Sequence, residues 1–284
     1  MKIAILSDIH SNFVALESAL EDVARQNVDG ILIAGDFLNR GPQPREVWSF
    51  LQAQNWPVLR GNHEDYVIAQ CRNLADDDAL ANPIWQPARW TAEQIDKDAS
   101  SFSHLPIWMT VPASGGEIIV AHGTTRFNNQ GVFPKTSNEE LTSILGENPP
   151  PLFVCGHTHV SLIREFGRTL VVNTGAVGMP FNGDTRAQYA IVTLRGKKWS
   201  AELRAVEYDV ERAARTFERH GFLDGGGALA RVILHELRSA RPHLSHWINR
   251  YGDAVRTGEM GVERAVELYL AAPETHNPIH APKS

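Results

Sequence analysis

The sequence predicts an α/β fold, and three observations carry that prediction. Short apolar runs alternate with helix-period segments along the N-terminal stretch, the texture of strand–helix–strand units in a parallel sheet with right-handed crossovers. From Ile107 to Val206 the chain becomes a succession of short strand-like runs, numerous enough for a second sheet packed on the first. Beyond Asp209 it turns helical and β-poor. The expected organisation is one domain over residues 1–208 and a helical extension over 209–284.

The elements follow in order. Lys2–Ser7 reads as a buried strand ending in polar residues. Asn12 is placed to cap a helix on which Phe13, Leu16, Leu20, Val23 and Ala24 recur at helical spacing. Gly30–Ala34 is a second strand, closed by Gly35-Asp36, and Pro44–Gln54 a helix with proline near its start. Trp56–Leu59 reads as a third strand, followed directly by Gly61-Asn62-His63-Glu64. In sheets of this kind ligands gather beyond the carboxyl ends of the strands, where all of these polar clusters fall. From Arg72 to Ser103 the texture changes: Asp76-Asp77-Asp78, Trp85 and Trp90 mark a largely helical insertion, either overhanging a site or packed on the flank.

Candidate strands then come at Ile107–Val111, Glu117–Ala121, Leu152–Cys155, Ser161–Glu165, Leu170–Asn173, Gln188–Leu194 and Trp199–Val206, with a loop at Pro149-Pro150-Pro151. Val210–Gly221, Leu229–Leu237 and Val262–Leu270 have helical patterns, Gly225-Gly226-Gly227 is a hinge or a cap, and the proline-rich end from Ala272 is expected to be disordered.

Composition narrows the function classes. Of 284 residues 43% are hydrophobic and 21% charged, so the chain can bury an ordinary core. The formal net charge of −6 argues against general nucleic-acid binding, and an anionic substrate would need local positive charge. Two distant cysteines, Cys71 and Cys155, form no metal or redox motif and suit a reducing cytoplasm. No stretch approaches the ~20 apolar residues of a membrane span.

The chemistry lies in five short clusters: Asp8-Ile9-His10, Gly35-Asp36, Gly61-Asn62-His63-Glu64, Ala121-His122-Gly123 and Gly156-His157-Thr158-His159. They offer carboxylate or amide oxygen and imidazole nitrogen, and no thiolate. Asp8 and His10 stand two apart beyond a strand, where both would face one ion; His159 joins them. Asp36 is placed to bridge, and Asn62, His122 and His157 complete a second ion. Such ligation suits Mn, Fe, Co, Ni or Zn and does not select among them; manganese is the first expectation. Singly, each cluster has an ordinary reading as a turn or a hydrogen-bonded histidine; together they do not. The other histidines (His104, His220, His235, His243, His246, His276 and His280) read as surface or packing residues.

The pattern Asp-x-His, Gly-Asp, Gly-Asn-His-Glu, a later His and Gly-His-x-His resembles the calcineurin-like metallophosphoesterase superfamily over about residues 1–205. The resemblance implies a four-layer αββα sandwich of two mixed sheets with two divalent ions at the sheet edge. It assigns Asp8, His10, Asp36 and His159 to one ion and Asp36, Asn62, His122 and His157 to the other. It makes Asp36 and Asn62 part of the catalytic set, with His63 as the non-ligand histidine beside the reacting phosphate. Gly35–Pro42 and Leu59–Glu64 look like motifs of Ser/Thr protein phosphatases and diadenosine tetraphosphatases, in which Arg40 matches a phosphate-gripping arginine. One departure is Asn39, where those phosphatases carry an aspartate that orients the catalytic histidine. Val172–Pro180 resembles the Asn-Pro-Gly-Ser-Val-Gly segment of small bacterial phosphodiesterases, with Thr174 in place of proline.

The expectation is therefore hydrolysis of a small phosphodiester, a cyclic nucleotide or nucleotide diester, by a metal-bridging hydroxide, with His63 protonating the leaving oxygen. Arg40, Arg60 and Arg126 are the candidate substrate-binding residues. Arg60 reads equally as a structural ion-pair partner and Arg126 as a loop charge. A phosphomonoesterase, protein phosphatase or dinucleoside tetraphosphate hydrolase is the alternative, and a non-catalytic scaffold using the C-terminal helices a further one. The partner is a small phosphate ester, not a membrane, and homo-oligomerisation is left open.

Overall fold

The computed structural model describes residues 1–72 and 82–272. The chain opens with β1 (Lys2–Leu6), α1 (Phe13–Arg25), β2 (Gly30–Ile33), α2 (Pro44–Gln52) and α3 (Asn62–Cys71). A 3₁₀ turn, Pro83–Trp85, leads into α4 (Gln86–Gln94). Then follow β3 (Trp108–Val111), β4 (Ile118–Ala121), α5 (Asn138–Leu145), β5 (Leu152–Cys155), β6 (Leu162–Phe166), β7 (Thr169–Asn173), β8 (Ala187–Arg195) and β9 (Lys198–Val206). The extension consists of α6 (Val210–Arg219), α7 (Phe222–Gly225), α8 (Leu229–Ser239), α9 (His243–Arg256) and α10 (Val262–Ala271).

The strands form two mixed sheets, ordered β2-β1-β8-β9 and β3-β4-β5-β7-β6. β1 runs parallel to β2 and antiparallel to β8. β4, β5 and β7 run parallel, flanked by antiparallel β3 and β6. The period of two explains the layering. On β1, Ile5 joins Leu32, Val120, Val154, Val172 and Val192 between the sheets, while Ala4 and Leu6 pack under α1. On β5, Leu152 and Val154 face the first sheet, whereas Phe153 and Cys155 meet Leu141 and Leu145 of α5. Helix, sheet, sheet and helix are thus stacked, and the expected four-layer α/β sandwich is present.

Asn12 caps α1 through a hydrogen bond its side chain accepts from the Ala15 N–H at 3.1 Å. The third expected strand is reduced to a single bridge between Val58 and Ile33, because Pro57 supplies only its carbonyl, to the Ile33 N–H at 3.0 Å. Of the insertion, Trp90 takes the flanking role, buried against Phe222, while Trp85 faces a cleft. The Gly225–Gly227 triplet caps: α7 ends there, with Gly227 at φ 72°. The extension is not a separate globule. Phe217, Phe222, Ala230, Ile233 and Leu237 share a core with Val14, Trp90 and Met179. The acidic triplet Asp76–Asp78 and the end expected to be disordered lie outside the described residues. Among the described residues no helix is long and apolar enough to cross a membrane.

Candidate metal centre and active site

The five clusters converge at one edge of the sandwich, and the loops that carry them are held in unusual backbone. Among the described residues twelve other than glycine have positive φ, and eight of them belong here: Asp8, His10, Ser11, Asp36, Asn39, Arg40, His157 and His159. Left-handed backbone in residues with a Cβ costs free energy and concentrates where function requires it. The loops also interlock. A Cβ on Gly61 would lie 2.0 Å from Asp36 Oδ1, and one on Gly156 would lie 2.0 Å from Ser7 Oγ. Each glycine is the gap that lets a neighbouring polar side chain through.

Glu64 ties the loops together. Its buried carboxylate accepts hydrogen bonds from the N–H groups of Asp36 (2.8 Å), Leu38 (2.9 Å) and Gly61 (2.7 Å). Burial, and then the Asp36 charge, push its carboxyl up to about 8. The residue was legible as part of the Gly-Asn-His-Glu cluster; its role as a loop organiser was not.

The ligand atoms fall into two groups. In the first, His10 Nε2 and His159 Nε2 are 3.0 Å apart, and Asp8 Oδ1 lies 3.2 Å from His159 Nε2. Asp36 Oδ2 is 3.8 Å from His10 Nε2 and 3.2 Å from His122 Nε2, so it reaches both groups. In the second, Asn62 Oδ1 meets His122 Nε2 at 3.1 Å and His157 Nδ1 at 2.8 Å. Asp8 Oδ1 and Asp36 Oδ2 are buried and accept no hydrogen bond among the described residues. Two orphaned carboxylate oxygens turned toward a cluster of imidazole nitrogens are what a pair of divalent cations would satisfy, and a buried carboxylate otherwise lacks compensation. The residues fit the ions. All seven ligands expected from the sequence are brought together, and Asp36 stands between the two groups.

The convergence differs in origin from the expected one. Asp8 and His10 do not continue a strand, which ends at Leu6; each sits in left-handed backbone, as do His157 and His159. Remote ring nitrogens fix the orientations: His122 Nδ1 bonds the Ala34 carbonyl at 2.8 Å and His159 Nδ1 the Met179 carbonyl at 2.5 Å. Outer partners of this kind hold the tautomer that turns Nε2 to the metal. Burial opposes charge on His10 and, with His63 and His159 nearby, holds its imidazole well below the ordinary value. Burial and then His122 likewise lower His157, to about 4. Neutral imidazole is the ligating form. On Asp36, burial is outweighed by His122 and His63, which hold its carboxyl well below the usual range.

His63 is not in either ligand group. Its ring meets His10 edge-on at 4.8 Å, and its Nδ1 lies 3.0 Å from Asn39 Nδ2. Asn39 Oδ1 accepts the Arg40 N–H at 2.8 Å, which fixes the amide orientation and makes Nδ2 the donor to His63. The imidazole proton is thereby placed on Nε2. Burial first, and Arg40 among the charges, lower the His63 pKa, so the ring is neutral and presents an N–H.

The arginines divide. Arg40 lines the cleft, but its guanidinium is paired with the buried Glu236 of α8 and lies over the Phe181 ring at 5.3 Å. Arg60 is tied to Asp65 at 2.8 Å and to the Ser103 carbonyl, which is the structural alternative. Arg126 is exposed and outside the residues that line the cleft. Glu236, Tyr66 and Arg241 carried no sequence signal. They reach the site only through helix packing, and no local motif marks them.

A two-sheet sandwich with paired carboxylate–imidazole ligand groups at its edge defines a class of metal-dependent hydrolases. A sequence profile for the calcineurin-like phosphoesterase superfamily domain matches residues 1–197. The chain belongs to that superfamily and is a metal-dependent phosphoester hydrolase. It is 27% identical to an uncharacterised protein of Methanocaldococcus jannaschii, over 74% of this chain and 89% of the relative. It is 25% identical to the phosphodiesterase YfcE of Escherichia coli, over 65% of this chain and 83% of the relative. The crystal structure of a metallophosphoesterase from Sphaerobacter thermophilus, 26% identical, superposes with a TM-score of 0.65 over 84% of this chain and all of that one.

Proposed function

We propose that the protein hydrolyses a small phosphodiester, a cyclic nucleotide or nucleotide diester, at a centre formed by two divalent ions, with manganese preferred. Asp8, His10, Asp36 and His159 would hold one ion, and Asp36, Asn62, His122 and His157 the other. Bound there, the ions would supply an activated water and charge for the phosphoryl oxygens. The observation that carries the reading is the pair of orphaned, buried carboxylate oxygens facing imidazole nitrogens, with one neutral histidine left outside the ligand set. Asn62 would contribute its amide oxygen, which lies beside His122 and His157, to the second ion and would border the reacting phosphate. His63 donates its Nε2–H to the leaving oxygen, while Asn39 holds its other nitrogen. Such a donor, neutral rather than cationic, serves a phosphodiester through a hydrogen bond that strengthens as charge develops. The named activity of YfcE supports a diester over a monoester.

Residues 1–208 form the catalytic domain in this reading and residues 209–284 the extension, of which Ile233 and residues from the 241–249 stretch line one side of the cleft. The free Cys71 and Cys155 support a cytoplasmic setting. The test is hydrolysis of bis-p-nitrophenyl phosphate against p-nitrophenyl phosphate by protein loaded with manganese, alongside elemental analysis of wild type and Asp36→Asn. The expectation is at least tenfold higher kcat/KM on the diester and loss of bound metal in the variant. A monoester preference, or an Asp36→Asn protein retaining two ions per chain, would overturn it.

A further inference from the structure

The cleft that holds the site has a volume of about 1090 Å³, at the upper limit of pockets that enclose drug-sized ligands and far more than a phosphate needs. Its walls show what the rest of the substrate is. An aromatic run leads outward from the reacting centre: His63 meets Tyr66 at 5.2 Å between ring centroids, and Tyr66 meets Trp85 at 5.1 Å. The Trp85 turn abuts α9, whose Leu244 and Ile248 also line the cleft. Ile248 is 38% exposed, and Phe133, on another lining segment, 49% exposed. Large apolar side chains left open inside a concavity mark a binding surface rather than idle surface. The same helix presents Ser245, His246 and Asn249 to the cleft, and His246 Nδ1, buried, finds no hydrogen-bond partner among the described residues. Arg241, at the α8–α9 turn, lines the cleft and makes no ion pair among the described residues, in contrast to Arg40.

Aromatic and aliphatic surface, polar groups along one edge and a nearby cation are the recognition chemistry of a base attached to a phosphate. A lipid chain would need no polar edge, and a phosphate alone would not need the aromatic run. The wall is also anchored. Glu236 accepts the Leu244 N–H at 2.7 Å with one carboxylate oxygen and pairs with Arg40 through the other.

We propose that Tyr66, Trp85 and the first turns of α9 form a nucleoside subsite, in which one ester group of the substrate seats its base while Arg241 faces its anionic part. This deepens the phosphodiester reading and rests on it for the placement of the reacting phosphate. Stacking of a base on an aromatic side chain contributes roughly 1–3 kcal/mol by alanine substitution, or about a fivefold to 150-fold change in affinity.

Calorimetric titration with adenosine 5′-monophosphate and with ribose 5-phosphate tests it. The wild type should bind the nucleotide at least tenfold more tightly than the sugar phosphate. Trp85→Ala, shown folded by circular dichroism, should lose most of that preference, and Trp85→Phe should keep it. Equal binding of the two probes, no detectable binding of either, or a Trp85→Ala protein with the preference intact would overturn the subsite. Turnover of bis-p-nitrophenyl phosphate without any base preference would sink the subsite alone. A base preference in a protein inert toward diesters would sink the diesterase reading alone.

Discussion

At His63 one hydrogen bond sets the tautomer. Asn39 donates to Nδ1, which leaves Nε2–H as the donor that the proposed reaction would use. The ring lies outside both candidate ligand groups, so its removal should separate catalysis from metal binding. We expect His63→Ala to retain two ions per chain by elemental analysis and to lose roughly 10²–10⁴ in kcat on alkyl diesters. The loss should be smaller on aryl diesters, whose leaving groups need less protonation. Undiminished turnover of alkyl diesters would remove the residue from that role. At this scale the sequence was most legible, because Asp, His and Asn in five short clusters have few other reasons to coexist. What it did not convey was the geometry. The two-residue spacing of Asp8 and His10 suggested side chains on one face of a strand, but the strand stops at Leu6 and positive φ does the work. Nor did it reveal that Arg40, matched to a phosphate-gripping position, carries a buried counter-charge.

That counter-charge belongs to the next scale, because Glu236 sits on α8 and its partner follows β2. The side chain of Glu236 is buried and that of Arg40 is 9% exposed, so each relies on the other. Removing one partner of a buried pair leaves an uncompensated charge, which costs about 3–5 kcal/mol, whereas replacing both by apolar groups of similar volume is often neutral. Glu236→Ala should therefore lower the unfolding free energy in denaturant titration by about 3–5 kcal/mol. The double variant Arg40→Met/Glu236→Leu should recover most of it. A single variant as stable as the wild type would show that the pair does not hold the extension. Strands other than Trp56–Leu59 were legible here to within a residue or two, because β5 and its neighbours are continuous apolar runs. Four helices were not, the single turn α7 among them. α3 starts inside the Gly-Asn-His-Glu cluster, where ligand chemistry hides the helix start. α5 is announced by the Ser137–Glu140 capping box rather than by apolar periodicity. α9 begins at His243 with few apolar residues, since part of its face lines the cleft.

Across the whole molecule, the metal centre joins the two sheets, since its ligands come from loops after β1, β2, β4 and β5 and from the start of α3. An ion that binds only the folded arrangement adds RT ln(1 + [L]/Kd) to stability, about 4 kcal/mol at a thousand times Kd. For domains of 150–250 residues each kcal/mol moves Tm by about 2–4 °C, so stripping one such ion should lower Tm by roughly 8–16 °C. The extension should melt with the domain, because Phe217, Phe222 and Ile233 share a core with Val14 and Trp90 and Glu236 grips Arg40. One cooperative calorimetric transition is thus expected both with manganese and after chelation, displaced as a unit. In Asp36→Asn, where the group shared by both ligand sets is lost, manganese should raise Tm little. Two resolved transitions would detach the extension from the catalytic body. An unchanged Tm after verified metal loss would mean that the seven ligands are held in place by their own loops, with Glu64 and the interlocking glycines sufficient to keep two buried carboxylates side by side.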